Sequence, residues 1–146
     1  MKKLILGLLV AAVTAAIAVP LAVAGPSPAH ATGSVDWTFQ GAVTGHVSFN
    51  ANAKTGGSLD YQNSDGGWLH GVVDAGSYTQ NGNTVQFSGT ITDGSWNYMV
   101  PGAHFTAVVT DGGTSGSKGD QIAVFANEPA QAGVFADVTG GNLSLH

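Results

Sequence analysis

Residues 85–92 alternate strictly: Val85, Phe87, Gly89 and Ile91 share one side, and Gln86, Ser88, Thr90 and Thr92 share the other. A repeat of two sends successive side chains to opposite faces of an extended strand. One face is then buried and the other wet, as in an antiparallel sheet. The same alternation runs through Val47, Phe49 and Ala51, through Phe105, Ala107 and Val109, and through Trp96, Tyr98 and Val100. Leu143 and Leu145 carry it around Ser144 to the end of the chain. Residues 122–126 are apolar on both sides, which suits a strand covered on both faces. After the first thirty residues, no window shows the 3.6-residue repeat of an amphipathic helix.

Glycine-containing turn signals separate these segments. Asp65-Gly66-Gly67, Asn81-Gly82, Asp93-Gly94, Asp111-Gly112-Gly113 and Gly140-Gly141-Asn142 supply the positive φ angles of tight turns. Residues 85–91, Asp93-Gly94 and residues 96–100 read together as a β-hairpin. Pro101 and Pro129 are expected between strands, where a missing N–H does least harm. The expected fold is all-β: a single antiparallel meander of about eight to ten short strands, closing into a barrel or a sandwich.

The N-terminus follows a different logic. Met1, Lys2 and Lys3 form a positive start, and Leu4 to Ala24 is almost wholly apolar. Gly25-Pro26-Ser27-Pro28 then breaks any helix, and Ala29-His30-Ala31 places small residues where a signal peptidase needs them. The run is long enough to span a bilayer, which takes about 20 residues. Pro20 interrupts it, however, and no cluster of positive charge follows. Residues 1–31 therefore read as a signal peptide cleaved before Thr32, and residues 32–146 as one secreted, extracellular domain.

Composition narrows the function of that domain. The chain has no cysteine, which excludes Cys-based zinc, redox and thiol chemistry. Without Lys2 and Lys3, only Lys54 and Lys118 face nine carboxylates, a net charge of −7, and there is no arginine. Nucleic acids are bound through Lys and Arg on phosphates, so that class of partner is excluded, and anionic membranes are disfavoured.

Phe105 to Asp111 (FTAVVTD), the glycine-rich stretch to Gly119, Asp120 to Ala126 (DQIAVFA) and Gly140 to His146 (GGNLSLH) follow one another in a recognisable order. Gly45 to Ala51, Gly57 to Tyr61 and Phe87-Ser88-Gly89-Thr90 fit the same order upstream. In this the chain resembles the bacterial post-COAP-1 domain across most of residues 41–146. The resemblance implies a β-rich accessory module of exported proteins, with no established catalytic role. Gly112, Thr114 and Ser115 stand where that family has Asn, Glu and Pro.

Candidate sites are few. Asp111 and Asp120 bracket a glycine-rich loop and, with loop carbonyls, could hold Ca²⁺, with Asp93 and Asp137 as further ligands if their turns lie at the same end. In the alternative they cap turns through their own carboxylates. His46, His70, His104 and His146 form no close pair in sequence and read as polar positions on the wet faces of strands. There is no G-x-S-x-G elbow, and the one glutamate, Glu128, precedes Pro129. Trp68 and Trp96 stand beside turns at the starts of strands. Such aromatics mostly fill the interior of small β domains, but at a barrel rim they would stack on sugars. The function expected is a non-catalytic accessory or binding module outside the cell, with no cofactor beyond calcium. Its partner would be a polysaccharide, the cell envelope or another extracellular protein. A small secreted hydrolase is the alternative, and it would require a cleft bringing His and Asp within reach of a Ser. A cell-surface assembly protein is the third reading.

Overall fold

A computed structural model describes residues 29–95, 99–113, 118–126 and 132–146. Within them the alternating segments become strands: β1 (His30–Phe39), β2 (Val43–Asn52), β3 (Gly56–Asn63), β4 (Trp68–Val73), β5 (Thr79–Asn81), β6 (Thr84–Gly94), β7 (His104–Thr110), β8 (Gln121–Ala126) and β9 (Ala132–Leu145). All pairings are antiparallel and join chain neighbours, except that β4 skips β5 to pair with β6, and β9 pairs with β1. Those two pairings close eight strands into a barrel, with β5 as an extra strand on the first residues of β6.

The buried side of the alternation fills the barrel. Trp37, Phe87, Phe105, Leu59, Leu69, Ile91 and Ile122 are fully enclosed. Trp37 stacks on Tyr61 with ring centroids 5.7 Å apart, and Phe49 meets Phe87 at 5.3 Å. A barrel of eight strands has an interior just wide enough for side chains. Here wide rings fit because glycine faces them from the neighbouring strand. Gly33 pairs with Phe49, Gly45 with Trp37, and Gly89 with Phe105. A Cβ at Gly45 would stand 2.2 Å from the Trp37 ring and 2.4 Å from the Gln62 carbonyl oxygen.

Two glycine signals are not turns. Asp93-Gly94 lies inside β6, with Asp93 opposite His70 and Gly94 opposite Leu69. The reversal between β6 and β7 comes later: Gly102 N–H donates to the Ile91 carbonyl, and Ile91 N–H to that of Ala103. The expected strand at residues 96–100 does not form at Met99 and Val100, and residues 96–98 lie outside those described. Pro101 and Gly102 take the turn instead, because β6 still has β4 to pair with through Gly94. Likewise Gly140 and Gly141 lie inside β9, opposite Asp36 and Val35. Gly141 has φ 93°, and Thr139 is the extra residue of a bulge. Glycine inside a strand marks such bulges and close backbone approaches.

The start of β1 meets the C-terminus. His30 and His146 exchange backbone hydrogen bonds of 3.0 and 2.8 Å, and their rings stack at 4.5 Å. β1 thus starts upstream of Thr32, where the secreted domain was expected to begin.

Candidate functional site on the outer face of the barrel

The wet side of β1 to β4 carries a concentration of functional side chains. Antiparallel register aligns them in two rows across the strands. Asp36, His46, Gln62 and Trp68 form one row; Ser34, Ser48, Asp60 and His70 form the next, continued by Asp93 on β6. The span from β1 to β4 is three interstrand spacings, about 14 Å.

Two carboxylate–imidazole pairs stand within these rows, each between directly opposed residues. His46 Nδ1 lies 2.7 Å from Asp36 Oδ1, and His70 Nδ1 contacts Asp60 Oδ1. An ionised carboxylate only accepts, so the histidine Nδ1 carries the proton and Nε2 of a neutral ring is left as an acceptor. At His46 that nitrogen meets Ser34 Oγ at 3.2 Å. Ser34, His46 and Asp36 are therefore linked in series. All four paired groups are substantially exposed, with side chains 36% to 64% accessible, so the pairs orient the rings rather than hold the fold together.

Two bulges frame the face. Thr139 is extra opposite Asp36/Trp37, and Thr92 is extra opposite His70/Gly71. Each threonine hydroxyl donates to the carbonyl beside its bulge, Thr139 to Asp36 at 3.4 Å and Thr92 to His70 at 3.1 Å. Bulges of this kind bend a strand and re-aim its side chains.

Trp68 starts β4 and points outward. It is half-buried, 5.2 Å from the His70 ring between centroids. The Ser95 hydroxyl accepts its backbone N–H at 2.8 Å, tying the start of β4 to the end of β6. The core expectation for Trp68 is thus corrected. Leu69 takes the inward position, and the alternation sends Trp68 to the other side. A depression of about 360 Å³ is lined by Trp68, His70, Asp60, Gln62, Ser48 and His46, with Tyr61 beneath. His46 and Gln62 also line a second one, of about 570 Å³, that continues over Asp36, Thr38, Thr44 and Thr139. Trp37 forms part of its wall, and the buried Trp37 Nε1 finds no acceptor among the described residues.

The other candidates are placed differently. Trp96 lies outside the described residues. Asp111 Oδ1 accepts the Gly113 N–H at 2.7 Å, and buried Asp120 accepts the Gly112 N–H at 2.9 Å. Both thus cap the loop between β7 and β8, as in the turn-capping alternative. Asp93 sits by His70, and Asp137 accepts from Gln121 at 3.2 Å. Among the described residues, no group of three or more His, Asp or Glu side chains is arranged to hold a metal ion.

Sequence reasoning missed the His–Asp pairing, which a short repeat signals. Gly33-Ser34-Val35-Asp36-Trp37 and Gly57-Ser58-Leu59-Asp60-Tyr61 match position by position, and His46 and His70 follow at the same distance. Each copy is one hairpin. Its Asp and His face each other outside, and its aromatic, Trp37 or Tyr61, turns inward to stack on the other.

No family model, no curated protein and no solved structure matches the chain.

Proposed function

We propose that the chain is a non-catalytic binding module, acting outside the cell, that holds a neutral or amino-sugar glycan across the outer face of β1 to β4. The observation that carries this is Trp68, half-buried and outward beside His70, Asp60 and Gln62. Indole supplies apolar surface for the flat face of a sugar ring. Fixed carboxylates, imidazoles and amides beside it supply hydrogen bonds for hydroxyls, the mix that ligand sites use. About 14 Å of aligned groups suits a short run of sugars rather than a single ring. The net charge of −7 over residues 32–146 and the three aspartates on this face disfavour an anionic polymer. The resemblance to an exported accessory domain points the same way.

The test is retention of purified protein on cellulose, chitin and cell-wall material, with bound and free fractions quantified. Retention that Trp68→Ala abolishes, in a variant that remains folded, supports the reading. Retention on none of these matrices refutes it.

The linked Ser34, His46 and Asp36 favour a second reading, a small hydrolase. β1 is paired on both edges, so the amides beside Ser34 serve the ladder rather than an oxyanion hole. Covalent labelling of Ser34 by a fluorophosphonate, lost in His46→Ala, would establish that activity nevertheless.

A further inference from the structure

The first strand bears on where the chain is processed. Ala29-His30-Ala31 matches the cleavage motif, yet each of these residues is built into the barrel. The Ala29 carbonyl accepts the Ala53 N–H at 3.0 Å. His30 exchanges two backbone hydrogen bonds with His146 and stacks on its ring. Ala31 is fully buried, paired with Ala51 on one side and Leu145 on the other. Cleavage before Thr32 would remove all of these contacts. It would also leave Ala53, Leu145 and His146 without the strand end that covers them. Cleavage after Ala29 would still remove the bond to Ala53.

We infer that the export peptidase cuts between Ala24 and Gly25, an inference that rests on the export reading above. Ala22-Val23-Ala24 places small residues at the −3 and −1 positions and follows Pro20, which interrupts the apolar run. The run up to Pro20 has about the length of a signal-peptide apolar region, and a short segment then separates it from the cut. Water cleaves the Ala24–Gly25 peptide bond, leaving a carboxylate on Ala24 and an amine on Gly25. Gly25 to Pro28 then precede β1 in the mature chain, which keeps the clasp between His30 and His146.

The experiment is the intact mass of the wild-type protein recovered from the medium or periplasm of an export-competent bacterial host, beside Ala24→Tyr. The expected wild-type product begins at Gly25, and Ala24→Tyr accumulates as uncleaved, membrane-associated precursor. A wild-type product beginning at His30 or Thr32, or an unchanged product from Ala24→Tyr, overturns the inference and leaves export standing. An uncleaved wild-type chain overturns both.

Discussion

Gly33→Ala tests how the barrel accommodates its rings. Gly33 has no positive φ, so alanine suits its backbone, and the three atoms nearest to a Cβ there all belong to the Phe49 ring, the closest at 2.4 Å. Phe49 is buried and packed against Phe87 at 5.3 Å, so it has little room to withdraw. Overpacking of this kind costs about 1–3 kcal/mol. For a domain of this length each kcal/mol moves the melting temperature by about 4 °C, so a fall of about 4–12 °C is expected. In a Phe49→Leu background the ring is gone. The same substitution then removes only the glycine's excess flexibility, a gain of about 0.5–1 kcal/mol. The assay is a four-member double-mutant cycle followed by urea and thermal unfolding. An equal loss in both backgrounds would refute the steric account and assign the glycine to the backbone instead.

Trp68→Ala is expected to lower the melting temperature far less than Trp37→Ala, for which about 3–5 kcal/mol is typical of a fully buried ring, because only Trp37 fills the interior; thermal melts of the two decide it. Asp120→Ala strands the Gly112 N–H and should cost about 1–3 kcal/mol by urea unfolding. Because Asp111 and Asp120 already accept backbone amides, the melting temperature should not respond to chelator or millimolar Ca²⁺; a rise with Ca²⁺ would show that the loop also binds the ion. Burial raises the Tyr78 phenol above its ordinary value of 10.0, so the unfolded chain loses this proton first as the pH rises. Its contribution is complete below pH 10.0 and fades above it, up to the raised folded value. Tyr78→Phe should therefore flatten the alkaline limb of a stability–pH profile.

Much of the architecture was legible, and unevenly so. Val85 to Ile91 and Phe105 to Val109 announce their inward faces because a two-residue period needs only local order. Ile122 to Ala126, apolar on both sides, buries even its outward Ala123. Glycine was more ambiguous. Asp65-Gly66 and Asn81-Gly82 do turn the chain, whereas Asp93-Gly94 and Gly140-Gly141 continue a strand. The local sequences are alike, and what differs is the strand waiting across the sheet. The His–Asp pairs on the outer face leave a local trace that the sequence reading missed. The repeat of Gly-Ser-aliphatic-Asp-aromatic, each copy followed by histidine, marks two like hairpins.

The sequence by itself determined strands and their inward and outward sides, which follow from periodicity, and the absence of thiol chemistry, which follows from a chain without cysteine. Only the tertiary structure decided that β9 and β1 meet and that β6 reaches back to β4. It likewise decided that Trp68 lies beside His70 outside the barrel, and that residues 29–31 clasp the C-terminus. Those facts depend on register between segments far apart in the chain. A shift of one residue exchanges every inward side chain for an outward one, and the choice is fixed by which rings fit against which glycines once the barrel closes.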